Sequence, residues 1–169
     1  MYKRILLAFD GSEEGRRALR EGALLARLCG ARVFLLSAFN GSAGMTLGDS
    51  VYPGPIAQEN ERLSAILDDG VEKLKALGIQ ADARLMMGDP MESIRQYAVE
   101  VGADLVVLGH RRQSLLERWW SGSANSYLTD QLGCSILIGR LEVNDVAFAQ
   151  AAGASKTSTF GEVTSLAQQ

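Results

Sequence analysis

Two short stretches combine residue types that could bind a charged small molecule. Residues 109–123 read GHRRQSLLERWWSGS, so Gly109, His110, Arg111 and Arg112 come first and Gly122 and Ser123 close the stretch. Arginine forks match phosphate oxygens two at a time. Glycine permits positive φ and close approach of the backbone. A Gly-Ser pair that opens a helix offers free N–H groups and the positive end of a dipole. The chemistry indicated is anion binding, with phosphate the natural candidate, although Arg111 and Arg112 also fit solvated loop residues. The second stretch is Asp10-Gly11-Ser12, a carboxylate followed by a tight turn into a helix. A carboxylate there suits a ribose hydroxyl or a base amino group, so the two stretches facing one crevice would propose a nucleotide.

Other chemistry finds less support. His110 is the single histidine. It has no second metal-ligand type beside it and no partner for a Ser-His-Asp arrangement, so it reads as a loop residue near phosphate; no catalytic residue and no metal ligand is assigned. Trp119 and Trp120 fit three roles: packing of one ring on the sheet, a subunit or partner surface with the arginines, and base stacking. Cys29 and Cys134 are the two cysteines, both in apolar segments, and read as small buried hydrophobes.

Five apolar runs must position these residues: Arg4–Phe9, Arg32–Phe39, Ala81–Met87, Asp104–Leu108 and Ser135–Ile138. Four are near-continuous, as strands covered on both faces read. The third alternates through Ala81, Ala83, Leu85 and Met87, which predicts a half-exposed edge strand. Helical patterns lie between the runs. Ser12 is an N-cap for a helix with Ala18, Gly22, Leu25 and Cys29 on one face, stopped by Gly30. Leu63, Leu67, Gly70, Leu74 and Leu77 form a second stripe ending at Gly78. Asp89-Pro90-Met91-Glu92 has an N-cap, a proline at the first helical position and a glutamate placed for a capping box. It starts a helix with Ile94, Tyr97, Ala98 and Val101 inward, closed by Gly102. Gly122-Ser123 opens a fourth helix ending at Gly133.

This alternation predicts an α/β fold built on a single open five-stranded parallel sheet with helices on both faces. In such sheets ligands bind beyond the carboxyl ends of the strands, where the strand order reverses. Residues 40–55 are rich in Gly, Ser and Pro and read as a long lid or binding loop. From 141 to 169 the chain is polar and weakly patterned, and reads as a C-terminal extension that is flexible or docks on a partner subunit.

The 169 residues favour one domain able to bury its own core. A formal net charge of -3 gives no support to nucleic acid or an anionic membrane as partner. No run approaches the roughly 20 apolar residues of a membrane span, and MYKRILLAFDGS has too short an apolar run for a signal peptide. A reducing cytoplasm is the expected location.

The opening KRILLAFDGSEEGRRAL, the segment MMGDPMESI, the run ADLVVLGH and the following GSANSYLTDQLGCSILI stand in the order and spacing of the universal stress protein family. The chain resembles that family over about residues 3–140, which makes 1–140 a universal stress protein domain. The resemblance implies a flavodoxin-like fold with strand order 3-2-1-4-5, dimerisation through the fifth strand, and ATP binding, with Mg2+, through a pattern G-x2-G-x9-G-(S/T). Gly109, Gly122 and Ser123 match this pattern and the second glycine falls on Arg112. By the same resemblance Asp10 meets the adenosine and Ala38 offers backbone groups to the adenine. Gly109 and its loop wrap the phosphates, with Ser123 on the terminal ones. The arginines can replace lost backbone contacts with charge.

Two functions follow from different classes. One is a homodimeric stress-response regulator that binds ATP or a related adenine nucleotide, with slow hydrolysis conceivable. The other is a nucleotide-independent dimeric interaction module whose Arg/Trp loop contacts a protein partner. An enzyme of the wider adenosine-binding fold is disfavoured, because the chain has neither a serine-glycine-glycine-x-aspartate-serine loop nor a histidine-x-glycine-histidine motif.

Overall fold

The structure, a computed structural model, describes residues 1–39, 54–109 and 132–154. Five strands, β1 (Arg4–Ala8), β2 (Arg32–Phe39), β3 (Ala81–Met87), β4 (Leu105–Gly109) and β5 (Ser135–Gly139), form one parallel sheet in the order β3-β2-β1-β4-β5. Helices α1 (Glu13–Cys29), α2 (Gly54–Ala76) and α3 (Pro90–Val101) connect the first four strands, and α4 (Asp145–Ala154) follows the fifth.

The strand period of two explains the near-continuous apolar runs. Ile5 and Leu7 face one cluster with Ala18, Leu19, Leu67 and Leu74 of α1 and α2. Leu6, between them, joins a second cluster with Ile94, Tyr97 and Ala98 of α3. A strand in the middle of the sheet therefore needs an apolar residue at every position. β3 lies at an edge and is largely exposed, as its alternation predicts. One detail differs: Met87, expected inward, is 67% exposed, whereas Met86 packs on the α3 cluster.

Helix ends follow the local chemistry. Ser12 Oγ accepts from the Gly15 N–H at 3.0 Å, and Gly30 closes α1 in the left-handed region. Asp89 Oδ1 accepts from the N–H groups of Met91 and Glu92 at 2.9 and 3.0 Å. Glu92 occupies the capping-box position, but its carboxylate is engaged by Arg95, with Nε donating at 2.7 Å. The buried face of α1 is Gly15, Ala18, Leu19, Gly22, Ala23 and Ala26, rotated from the expected stripe, with Leu25 and Cys29 only half-buried. Small residues let the helix sit close to the sheet and displace its larger side chains to the rim.

In the segment expected to be flexible or partner-docking, residues 141–148 pack on their own domain. Val143 and Phe148 enter the α1/α2 core cluster. Glu21 Oε2 on α1 accepts from the N–H groups of Arg140 and Leu141 at 2.9 and 3.0 Å. Arg17 pairs with Glu142 at 3.1 Å and Arg20 with Asp145. Residues 155–169 lie outside the described residues. Replacing Phe148 by alanine removes a buried ring and is expected to lower unfolding free energy by about 3 kcal/mol. Urea unfolding reads this as a lower midpoint with an unchanged slope; an unchanged midpoint would show that the segment does not dock.

Candidate functional site

The sheet order puts β1 beside β4, at the point where the order of the strands reverses. β1 feeds α1, whereas β2, on its other side, receives the N-terminus of α3 beyond its carboxyl end. The cleft at this reversal is lined by residues from β1, β2, β4 and both helix starts. Its floor is apolar: Ala8, Leu36, Leu108 and Ile94, with Met91 at the side. Its polar rim has Asp10 and Ser12, and Ala38 and Gly109 stand at the ends of their strands.

The structure thus brings together Asp10, Ala38 and Gly109. Gly11 lies in the turn beside them with φ 76°, a conformation that disfavours any side chain. A Cβ there would also lie 2.9 Å from Ile66 of α2, so the turn is fixed twice over. His110, Arg111, Arg112, Gly122 and Ser123 lie outside the described residues, as do Trp119 and Trp120.

Asp10 is held toward the turn. Its Oδ1 accepts from the Ser12 N–H at 3.0 Å and from the Ser12 hydroxyl at 2.5 Å. Gly15 leaves room for this carboxylate, because a Cβ on Gly15 would lie 2.6 Å from Oδ1. Gly109 has a packing role independent of any ligand: a Cβ there would lie 2.9 Å from the backbone of Glu14 and Gly15. The first glycine of the phosphate pattern is therefore required by the seat of α1 on the end of β4.

The first-turn donors of both flanking helices are partly consumed by their own caps. Asp89 takes two N–H groups of α3, and Pro90 has none to give. At α1, Ser12 takes the Gly15 N–H, and Glu13 and Glu14 add negative charge. Among the described lining residues there is no cation. This part of the cleft suits an uncharged apolar ring and a hydroxyl-bearing group, with Asp10 as acceptor.

Three residues escaped sequence reasoning. Met91 and Ile94 were legible as helix residues, yet their place at the cleft depends on α3 starting beside β2. Arg62 of α2 is held by Glu59 through two contacts of 2.9 and 2.7 Å. Its guanidinium pKa is raised, chiefly by that hydrogen-bonded carboxylate and in smaller part by the charge of Asp10. Nothing in the local sequence marks it, because α2 reaches Asp10 only through tertiary packing. Burial pushes the Cys134 thiol up from its ordinary pKa, which fits a structural residue.

The family model described as the universal stress protein family matches residues 1–140. The chain belongs to the universal stress protein family. A Thermus aquaticus relative, the universal stress protein in the QAH/OAS sulfhydrylase 3′ region, is 30% identical over 141 residues, covering 83% of this chain and 100% of that protein. Two solved universal stress proteins share the fold. One, in complex with cAMP, has a TM-score of 0.60 at 24% identity and covers 82% of this chain and 97% of its own. The other, from Archaeoglobus fulgidus in complex with dAMP, has a TM-score of 0.57 at 23% identity and covers 82% of this chain and 98% of its own. The flavodoxin-like order expected of a universal stress protein is the order observed.

Gly109→Ala is expected to destabilise this universal stress protein by about 1–3 kcal/mol through overpacking, whether or not nucleotide is present. Thermal unfolding checks this; an unchanged midpoint would remove the packing role and leave phosphate contact as the reason for the glycine.

Proposed function

We propose that this universal stress protein is a small homodimeric stress-response regulator of the cytoplasm that binds ATP or a related adenine nucleotide at the carboxyl ends of β1 and β4. The observation that carries the reading is the cleft itself, where Asp10 and Ala38 border an apolar floor at the strand-order reversal. The apolar floor suits a purine ring, Asp10 suits a ribose hydroxyl, and Ala38 offers backbone groups to the base edge. Arg111, Arg112 and Ser123 are the proposed phosphate contacts, with His110 and Gly122 beside them. The relatives crystallised with cAMP and dAMP give this ligand class a precedent in the fold. Among the described residues no group of three His, Cys, Asp or Glu side chains could hold a metal. In this reading Mg2+ arrives on phosphate oxygens, which matches its habit of retaining water and phosphate ligands.

The two sheet edges differ in a way that supports dimerisation through β5. β3 carries Asp82 and Arg84, charged side chains that discourage strand addition. β5 reads SILIG with no charge, and its isoleucines and leucine are half-buried. Among the described residues no helix is long and apolar enough to cross a membrane.

Equilibrium dialysis of the full chain against labelled ATP tests the ligand. Saturable binding is expected, weakened roughly tenfold or more in Asp10→Ala through loss of a charge-assisted hydrogen bond. No binding at millimolar nucleotide would overturn the reading. Ile136→Lys is expected to convert the dimer to a monomer in sedimentation velocity, and a dimer unaffected by it would exclude β5 as the pairing edge. The second reading, a nucleotide-independent interaction module, is favoured by one observation: packing alone accounts for Gly109, and Arg112 stands at the next glycine of the pattern. A dimer that binds no nucleotide would be its signature.

A further inference from the structure

Ser37 is a hydroxyl in an otherwise apolar strand, with 0% exposure. Its Oγ donates to the Phe9 carbonyl at 2.6 Å. In a parallel sheet, alternate residues of a middle strand turn their backbone groups to opposite neighbours. The Leu36 carbonyl accepts from the Phe9 N–H at 2.8 Å, on the β1 side. The Phe39 carbonyl accepts from the Gly88 N–H at 2.8 Å, on the β3 side. Ala38 therefore turns its N–H and C=O toward β1. In a regular ladder its N–H would donate to the Phe9 carbonyl, the acceptor that Ser37 takes. The register of β1 with β2 ends at Ala8 and Leu36, and among the described bonds none joins Ala38 to β1. Beyond that register lies the cleft, with Ala38 on its wall.

We infer that Ser37 is a positioning residue for base selection: by satisfying the Phe9 carbonyl, its hydroxyl keeps the Ala38 N–H available to a ligand in the cleft. This inference rests on the nucleotide-site reading above. A backbone N–H and C=O side by side present one donor and one acceptor. Adenine offers the complement, a ring-nitrogen acceptor next to an amino donor. Hypoxanthine inverts the pattern, with a ring N–H next to a carbonyl, and leaves both protein groups unpaired. Without Ser37 the Ala38 N–H returns to the ladder, and the cleft keeps its apolar floor while losing its reading of the base edge. Ser37 does not itself line the cleft, so its effect on the ligand passes through Ala38.

Two measurements on the full chain test this. Amide hydrogen exchange of ligand-free protein reads the device directly: the Ala38 amide exchanges fast in wild type and slowly in Ser37→Ala. Slow exchange in wild type would overturn the inference. Equilibrium dialysis with adenosine and inosine reads its consequence. Wild type prefers adenosine by roughly tenfold or more, Ser37→Ala brings the ratio near one, and Ser37→Thr, which restores a hydroxyl, restores the preference. A serine that only stabilises the core would lower the melting temperature and leave the ratio intact, which would also overturn the inference. Wild type that binds neither nucleoside refutes the nucleotide site and the base-selection half of the inference, and the exchange result identifies that case separately.

Discussion

The pairing of β1 with β4 is the constraint on which the remaining structure depends. These strands are consecutive neither in sequence nor in connection, and they meet through Ile5, Leu6 and Leu7 against Leu105, Val106 and Val107. Asp104 secures the register from outside the ladder: its carboxylate accepts from the N–H groups of Lys3 and Arg4 at 2.7 and 3.1 Å. Its own N–H donates to the Arg4 carbonyl at 3.0 Å. Reversal of strand order at this seam sets α1 and α2 in one apolar cluster and α3 in the other. A cleft is the geometric consequence, and Asp10, Ala38 and Gly109 reach it because each stands at the end of a strand next to the seam.

Helix α1 transmits that constraint to the edge of the sheet. Its first turn abuts Gly109, and further along Ala18 abuts Gly139, where a Cβ would lie 2.6 Å from the Ala18 Cα. Glu21 then receives the backbone leaving β5, and Arg17 and Arg20 meet the start of α4. One helix face thus shapes the cleft, seats β5 and anchors the C-terminal segment. The contacts explain why glycine and alanine dominate that face: each close approach excludes a larger side chain.

Much of this architecture was legible in the sequence. Continuous apolar runs flagged the middle strands, alternation flagged β3 as an edge, and Ser12, Gly30, Asp89 and Gly102 marked helix ends through local chemistry. What was not legible depended on contacts between distant segments. The face of α1 was misread because its larger apolar residues, Leu25 among them, sit at the rim. Among the described residues after 141, Val143 and Phe148 are the buried hydrophobic anchors, too few to set a helical period. At the site, Asp10 and Gly109 were readable from strand ends, and Ala38 from the family resemblance. Ser37 and Arg62 were not, since a serine in a strand and an arginine on a helix acquire meaning only from Phe9 and Asp10 across the fold.

The central claim is that the cleft above the β1–β4 seam receives an adenine nucleotide. Titration of isotope-labelled full chain with AMP, followed by backbone amide NMR, tests it residue by residue. Saturable shifts are expected at Phe9–Ser12, Leu36–Ala38, Met91–Ile94 and Leu108–Gly109, with the β3 edge and α4 unmoved. Absence of saturable shifts, or shifts grouped away from this seam, would contradict it.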